Sequence, residues 1–553
     1  MNVNVVSQRE LIVVSETPFN RAEMTATAFS PSPLHAGINE ILAKFSATVA
    51  PVFNHASFSS ARVSSMEALP IADDAFRFAR VAADDSKLES MAALLNEHPE
   101  VSAAYIKPAV YPPIAPPLDV PVGAPASASY ESRQGYLDAA PAGVDARFAW
   151  GIAGGKGEGV QVVDIEGDWN FSHEDLPSSP GQVAGGNPGS GGLSWRNHGT
   201  AVVGEIAGKE NGIGVTGISP RVTISAIAHF PTASSPGWGS ASAIEAAADR
   251  CNAGDIILLE MHRPGPAFNF QFREDQQGFI AVEWWWDDFL AIQYATSKGI
   301  IVVEAAGNGA QNLDAPIYSV RPATSPVVFP AAWKNPFPRT AVDSRAIIVG
   351  AGAPPSGNFG AARSRLGFSN YGSCADAQAW GREVVTTGYG DLAGATNENA
   401  AYSAIFSGTS SASPIVVGAL ACIQGMLKAA GKPLLTPLTA RQLLRSTGTP
   451  QPAGSGRIGN LPDIRAMANQ LQIPTGGGGG GGGGGNDPYV AYLTQVIYYA
   501  RWYPELQACL RSQICGNGAP GTCSSDNQQM VNDVRTVLSK CPPNYKDWFC
   551  QNL

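Results

Sequence analysis

From Val160 to Ala351 the chain repeats one theme, a short β-branched and apolar run followed by a longer stretch with helical spacing. VQVVDIE begins at Val160, VTISAIA at Val222, DIILLEM at Asp255, GIIVVEAA at Gly299 and AIIVGA at Ala346. Helix-like segments at 241–253 and 289–298 lie among them. Runs that are apolar throughout suit strands covered on both faces. Their alternation with helices predicts an α/β fold with a mainly parallel sheet over residues 131–475. Upstream, FRFARVAADDSKLESMAALLNEHPEVSAAYIKP, residues 76–108, reads strand, helix, strand, its helix carrying Leu88, Met91, Leu94 and Leu95. That is a small α+β unit.

Two breaks in the pattern divide the chain. The segment 107–129, KPAVYPPIAPPLDVPVGAPASAS, is too rich in proline for helix or sheet and should run extended. The ten glycines Gly476–Gly485 have no side chains to bury and form a flexible tether. Beyond it, Asp487 and Pro488 suit a helix start, and Val490, Leu493, Val496 and Ile497 follow at helical spacing. A second helix is expected around Met530–Leu538. The expected organisation is an unassigned region 1–70, an α+β unit with linker 71–130, an α/β domain 131–475, a linker 476–486 and a small cysteine-rich helical domain 487–553.

Composition narrows the partners. Of 553 residues 15% are charged and the formal net charge is −10, which excludes a nucleic-acid or anionic-membrane surface. No run of about 18 apolar residues predicts a transmembrane helix. The opening MNVNVVSQRELIVVSETPFN does not read as a secretory signal. Five of the eight cysteines, Cys509, Cys515, Cys523, Cys541 and Cys550, crowd the last stretch, which predicts disulfides and an oxidising, extracellular setting. Five is odd, so at least one stays free or pairs elsewhere. A monomer is expected.

Three motifs carry chemistry. In Phe406-Ser-Gly-Thr-Ser-Ser-Ala-Ser-Pro414 a glycine turn enters an apolar helix, placing the Ser410 hydroxyl in the field of free backbone N–H groups. That suits a nucleophile whose attack creates an oxyanion; helix capping is the structural alternative. His198 opens the small-residue helix HGTAVVGEIAG, where an imidazole oriented by a third group serves as general base to a serine. Asn308, in Glu304-Ala-Ala-Gly-Asn-Gly309, follows the buried run GIIVV, at the sheet end where α/β proteins build their sites.

Together these motifs resemble the subtilisin-like serine peptidases, the subtilases, in the family's order of acid, His, Asn and Ser over about residues 131–470. Gly217-Ile-Ser-Pro220 and Gly367-Phe-Ser-Asn-Tyr-Gly372 are further matches. The resemblance implies a three-layer α/β domain, with the upstream α+β unit as a propeptide that inhibits its own peptidase until cleaved near residues 115–135. It implies Ser410 as nucleophile, His198 as general base, and the Asn308 amide with the Ser410 N–H as oxyanion hole. No cofactor is required. Peptides or proteins would be the substrate.

The acid departs from the family, which ends its first core strand in Asp followed by Thr or Ser and Gly. Counting from Gly159-Val160, or back from His173-Glu-Asp-Leu176, lands on Glu166. Asp164, two residues earlier on the same strand face, is the rival acid. The substrate strand departs too: Glu260, Met261 and His262 replace the family's small residues. Gly237, Trp238 and Gly239 resemble the opposite binding edge, where an extended peptide would add as a strand. Asp175 with Asn211 resembles a structural calcium site of some subtilases. Glu283-Trp-Trp-Trp-Asp-Asp288 fits a core and first-turn pattern better than a binding rim, and the sequon Asn170-Phe-Ser172 lies beside the proposed acid. The altered acid and crowded strand leave a second reading, an inert scaffold that binds a peptide or surface ligand.

Overall fold

In the computed structural model, described residues are 9–18, 36–53, 75–114, 128–177, 186–232, 238–454 and 456–474, with parts of 493–553. The chain forms two units, Met1–Ile473 and Pro474–Leu553.

The first unit opens with β1 (Glu10–Ser15), β2 (Thr48–Pro51), β3 (Phe78–Ala82) and β4 (Val101–Lys107). They pair antiparallel in the order β4-β1-β3-β2. Period-two alternation splits β1 between two cores. Leu11 and Val13 pack with Met91 and Leu95 of the helix Leu88–Asn96, whereas Ile12 and Val14 join the core of the α/β domain. The strand–helix–strand reading of 76–108 is borne out, but β1 lies between β3 and β4, so the region left unassigned by sequence supplies a central strand. Its four apolar residues carry no local signal of a partner some 70 positions away in sequence.

Six strands make the second sheet: β5 (Gln161–Glu166), β6 (Thr223–Ala228), β7 (Ile256–Leu259), β10 (Ile301–Ala305), β13 (Ile347–Gly352) and β14 (Ala375–Trp380). Their order is β14-β13-β10-β7-β5-β6 and every pairing is parallel, as the apolar runs predicted. Val163 and Ile165 of β5 face the helices Ser240–Arg250 and Trp286–Ser297. Val160 and Val162 face the helices Gly192–Ala207 and Thr409–Ala429. Helix, sheet and helix form the three layers. The Thr409–Ala429 helix is long and apolar enough to cross a membrane, yet from Thr409 to Leu427 it is buried in this core. Trp284, Trp285 and Trp286 are core residues, not a rim.

Between these layers and the cleft run two hairpins, β8 (His262–Pro264) with β9 (Phe279–Ala281), and β15 (Val384–Thr387) with β16 (Tyr402–Phe406). Two short strands, β11 (Ala323–Thr324) and β12 (Val327–Val328), extend the N-terminal sheet at β4. In the second unit the helices Pro504–Leu510 and Ser525–Leu538 enclose Leu493, Leu510, Val531 and Phe549, with disulfides Cys509–Cys523 and Cys515–Cys550. The predicted helical, cysteine-stapled module is therefore present. Cys541, Asp487, Pro488 and the glycine tract lie outside the described residues.

Ion pairs join the N-terminal sheet to the α/β domain with no water access. Lys107 Nζ, fully buried, lies 2.5 Å from Asp287 Oδ2 and 3.0 Å from Asp288 Oδ1, and donates to Ser240 Oγ. Arg263 donates to Glu10 and to Ser240 Oγ, each at 2.7 Å. Removing one member of such a set leaves a buried charge unpaired, which costs about 3–5 kcal/mol. Lys107→Met should lower the stability of the uncleaved protein by that order, read as a drop in thermal midpoint; a midpoint equal to wild type would show the cluster is dispensable.

Candidate active site

Four sequence segments converge at the C-terminal edge of the parallel sheet. β5 delivers Asp164 and Glu166 on the face that carries Val162, into a layer otherwise apolar. His198 stands on the Gly192–Ala207 helix, which lies close against the Asp168–Trp169 turn: a Cβ on Gly199 would come 2.3 Å from the Asp168 carbonyl oxygen. From this helix the His198 Nδ1 reaches Glu166 Oε2 at 2.6 Å, both side chains fully buried. The imidazole packs edge-on against Trp195 and Phe406, and its Nε2 has no hydrogen-bond partner.

Asp164 is occupied differently. Its Oδ2 accepts the Trp169 indole N–H at 2.8 Å. Of the two carboxylates that sequence left in competition, Glu166 is the one that meets the imidazole. Burial pushes His198 down, to about 3. Burial also raises both carboxyls well above the usual range.

Ser410 is the second residue of the Thr409–Ala429 helix, entered through Gly408 at φ +123°. A side chain there would be strained, and its Cβ would fall 2.0 Å from the Pro113 carbonyl oxygen. Asn308 follows β10; its Oδ1 accepts both the N–H and the hydroxyl of Thr409, each at 3.0 Å. That pairing fixes the amide, so Nδ2 points away, toward Gln276 Oε1 at 3.2 Å. Gln276 sits at φ +57° in a loop with no sequence signal for the site.

The cleft holds the protein's own chain. Tyr111 and His262 exchange backbone hydrogen bonds, N–H to O of 3.0 and 3.1 Å, as antiparallel neighbours. Ile114 bridges Gly408, and the Ser410 hydroxyl donates to the Pro113 carbonyl at 2.9 Å. The segment 111–114 precedes the expected cleavage window 115–135, of which 115–127 lie outside the described residues. His262 thus meets an extended chain through its backbone. Glu260 and Met261 do not line the cleft: Glu260 bonds Ser413 beneath the serine helix and Met261 is in the core. Trp238 donates to the Ala228 carbonyl and Gly239 abuts Glu10, while Gly237 lies outside the described residues.

The calcium expectation finds a thin donor set. Asp175 Oδ2 accepts the Val215 N–H at 2.6 Å and Asn211 Oδ1 accepts the Ile213 N–H, leaving Asp175 Oδ1 as the free oxygen. Among the described residues no three acidic, histidine or cysteine groups gather to hold a metal. Calcium takes six to eight oxygens, so this pair does not fit it. Asn170 of the sequon is tied to Glu398 and Asn399 through its side chain.

Comparison with known proteins shows the family. The Subtilase family, Peptidase S8, matches residues 85–461. The chain belongs to the subtilase family. A subtilisin from Bacillus pumilus is 30% identical over 304 residues, 54% of this chain and 86% of that protein. Subtilisin DY from Bacillus licheniformis is 28% identical over the same shares. Among solved structures, the epidermin leader peptide processing serine protease EpiP from Staphylococcus aureus is similar with a TM-score of 0.48 and 19% identity, covering 84% of this chain and 98% of that one.

The histidine segment of this subtilase carries a further buried acid. Glu205, on the histidine helix, is fully buried and neither carboxylate oxygen has a hydrogen-bond partner, so burial raises its pKa well above normal. Such a group is neutral in the fold and ionises more readily when unfolded. Its contribution to stability is complete below the unfolded pKa near about 4.3 and is lost as pH rises through the folded value. Glu205→Gln should therefore flatten the fall in thermal midpoint between acid and neutral pH and stabilise the protein at neutrality. Parallel midpoint curves for variant and wild type would contradict this.

Proposed function

We propose that this subtilase is a serine endopeptidase acting through an acyl-enzyme. Ser410 attacks the scissile carbonyl, His198 Nε2 takes its proton and returns it to the leaving amine, and Glu166 holds the Nδ1–H tautomer and stabilises the imidazolium. Asn308 Nδ2 with the Ser410 N–H binds the oxyanion, one such donor contributing about 3 kcal/mol to lowering the barrier. The observation that carries this reading is the 2.6 Å contact between His198 Nδ1 and Glu166 Oε2 while Nε2 is left unengaged.

The α+β unit is, on this reading, a propeptide and intramolecular inhibitor. In support, Tyr111 pairs with His262 as a substrate would and the Pro113 carbonyl holds the Ser410 hydroxyl. The state described is then a latent one, and substrate enters after the segment leaves. Two disulfides in the C-terminal unit suit an oxidising, extracellular location.

Covalent labelling by a fluorophosphonate, after limited proteolysis to release the N-terminal unit, is the direct test. Wild type should label and Ser410→Ala should not. Glu166→Gln should lower kcat by about 10³–10⁴-fold with little change in KM, as expected when the imidazole loses its ionised partner. An unlabelled, fully released wild type would favour the inert scaffold.

A further inference from the structure

The peptidase reading leaves one carboxyl without a task. Asp164 and Glu166 stand two apart on β5, share a face, and are both fully buried. Between them they present four oxygens. Trp169 donates to Asp164 Oδ2 and His198 Nδ1 meets Glu166 Oε2, while Asp164 Oδ1 and Glu166 Oε1 receive no hydrogen bond from any other residue. As alternate residues of one strand the two side chains project side by side from the same face, and each acts on the other's ionisation. If both were ionised, two sets of lone pairs would face each other in a dry site, an arrangement that one shared proton relieves.

Among the described residues no lysine or arginine acts on the pair. Facing the pair are the Trp169 indole, His198 on its helix, the Glu260 carboxyl beyond β7 and the Tyr389 hydroxyl. Asp168 also acts on Glu166, and its own partner Arg196 is committed to it at 2.9 Å. A proton held by the pair itself then removes one of the two charges. Carried on Asp164 Oδ1, the oxygen that the Trp169 indole leaves unengaged, it keeps the charge on the acid that meets the imidazole. Glu166 then keeps its charge and accepts the Nδ1–H of His198, which leaves Nε2 bare to receive a proton.

We propose that Asp164 is a positioning residue, protonated at neutral pH, whose Oδ1–H donates to Glu166 Oε1 and so fixes the longer acid and its charge against His198. This rests on the peptidase reading for its catalytic consequence, although the protonation itself does not. A glutamate at this place has one more rotatable bond than an aspartate, and the Asp164 hydrogen bond restrains it.

Infrared difference spectra on the full chain carrying Ser410→Ala decide the protonation independently of activity. At neutral pH, adding Asp164→Asn should remove one protonated-carboxyl C=O band, and adding Glu166→Gln should not. Kinetics on released enzyme decide the role. Asp164→Ala should lower kcat about tenfold to hundredfold with KM held, the worth of a hydrogen bond to a charged group. Asp164→Asn, whose amide can donate to Glu166 and accept from Trp169, should recover kcat to within about threefold of wild type. If Asp164→Asn instead costs as much as Glu166→Gln, or no band is lost, Asp164 is an ionised acid and the proposal falls. Should Asp164→Ala fail to fold, the asparagine variant and the spectra still decide. Failure of fluorophosphonate labelling would overturn the peptidase reading while leaving the band to report on Asp164.

Discussion

A carboxylate and an imidazole in contact, both cut off from water, impose the main constraint on this fold. The Glu166–His198 pair sits on a sheet face that also carries Asp164, among Val160, Val162 and the apolar sides of two helices. Burying two ionisable groups there is costly unless their geometry is held closely, since a small displacement leaves an unpaired charge in a medium of low polarity. The scaffold meets that demand with rigid elements. A six-residue strand paired on both sides carries the acid, and a helix pressed against the Asp168–Trp169 turn through Gly199 carries the imidazole.

The same constraint explains where the remaining polar groups lie. Asn308 donates its Nδ2 to Gln276, and the two donors of Thr409 hold its other end. Gly408 admits a peptide carbonyl beside Ser410 because no Cβ stands in the way. Acidic side chains on neighbouring elements, Glu260 and Glu205, are turned into the protein rather than toward substrate, and burial drives both toward their neutral forms. The substrate strand thus looks crowded in sequence but offers its backbone at His262 in the ordinary way.

How far the sequence could be read follows the range of the interactions involved. The parallel sheet was legible because each strand announces itself locally by an apolar run, and the serine, histidine and asparagine segments because each motif is short and contiguous. Glu166 was reachable by counting along one strand. What failed depends on contacts distant in sequence. β1 pairs with β3 and β4 across 60 to 100 positions, so its place in the N-terminal sheet left no local trace. Gln276 reaches Asn308 from a loop, and Glu260 looked like a cleft residue until its side chain was seen to turn toward Ser413. The segment 111–114 read as a linker because proline forbids regular structure, yet an extended chain is what a cleft accepts.

The N-terminal sheet is better viewed as part of the folded core than as an attached lid. Ile12, Val14, Phe78 and Tyr105 share a cluster with Trp284, Trp285 and Phe289 of the α/β domain, and Tyr105 donates to Asp287 where Lys107 also binds. Removing such a unit would expose apolar surface together with Asp287, Asp288 and Arg263, which would lose Lys107 and Glu10 and keep the pairing of Arg263 with Asp288. Hydration can compensate the charges once water reaches them, but it cannot compensate the apolar face. Cutting the chain near Ile114 would therefore not by itself open the cleft: the polar contacts can exchange for water, whereas the shared core keeps holding the severed unit in place.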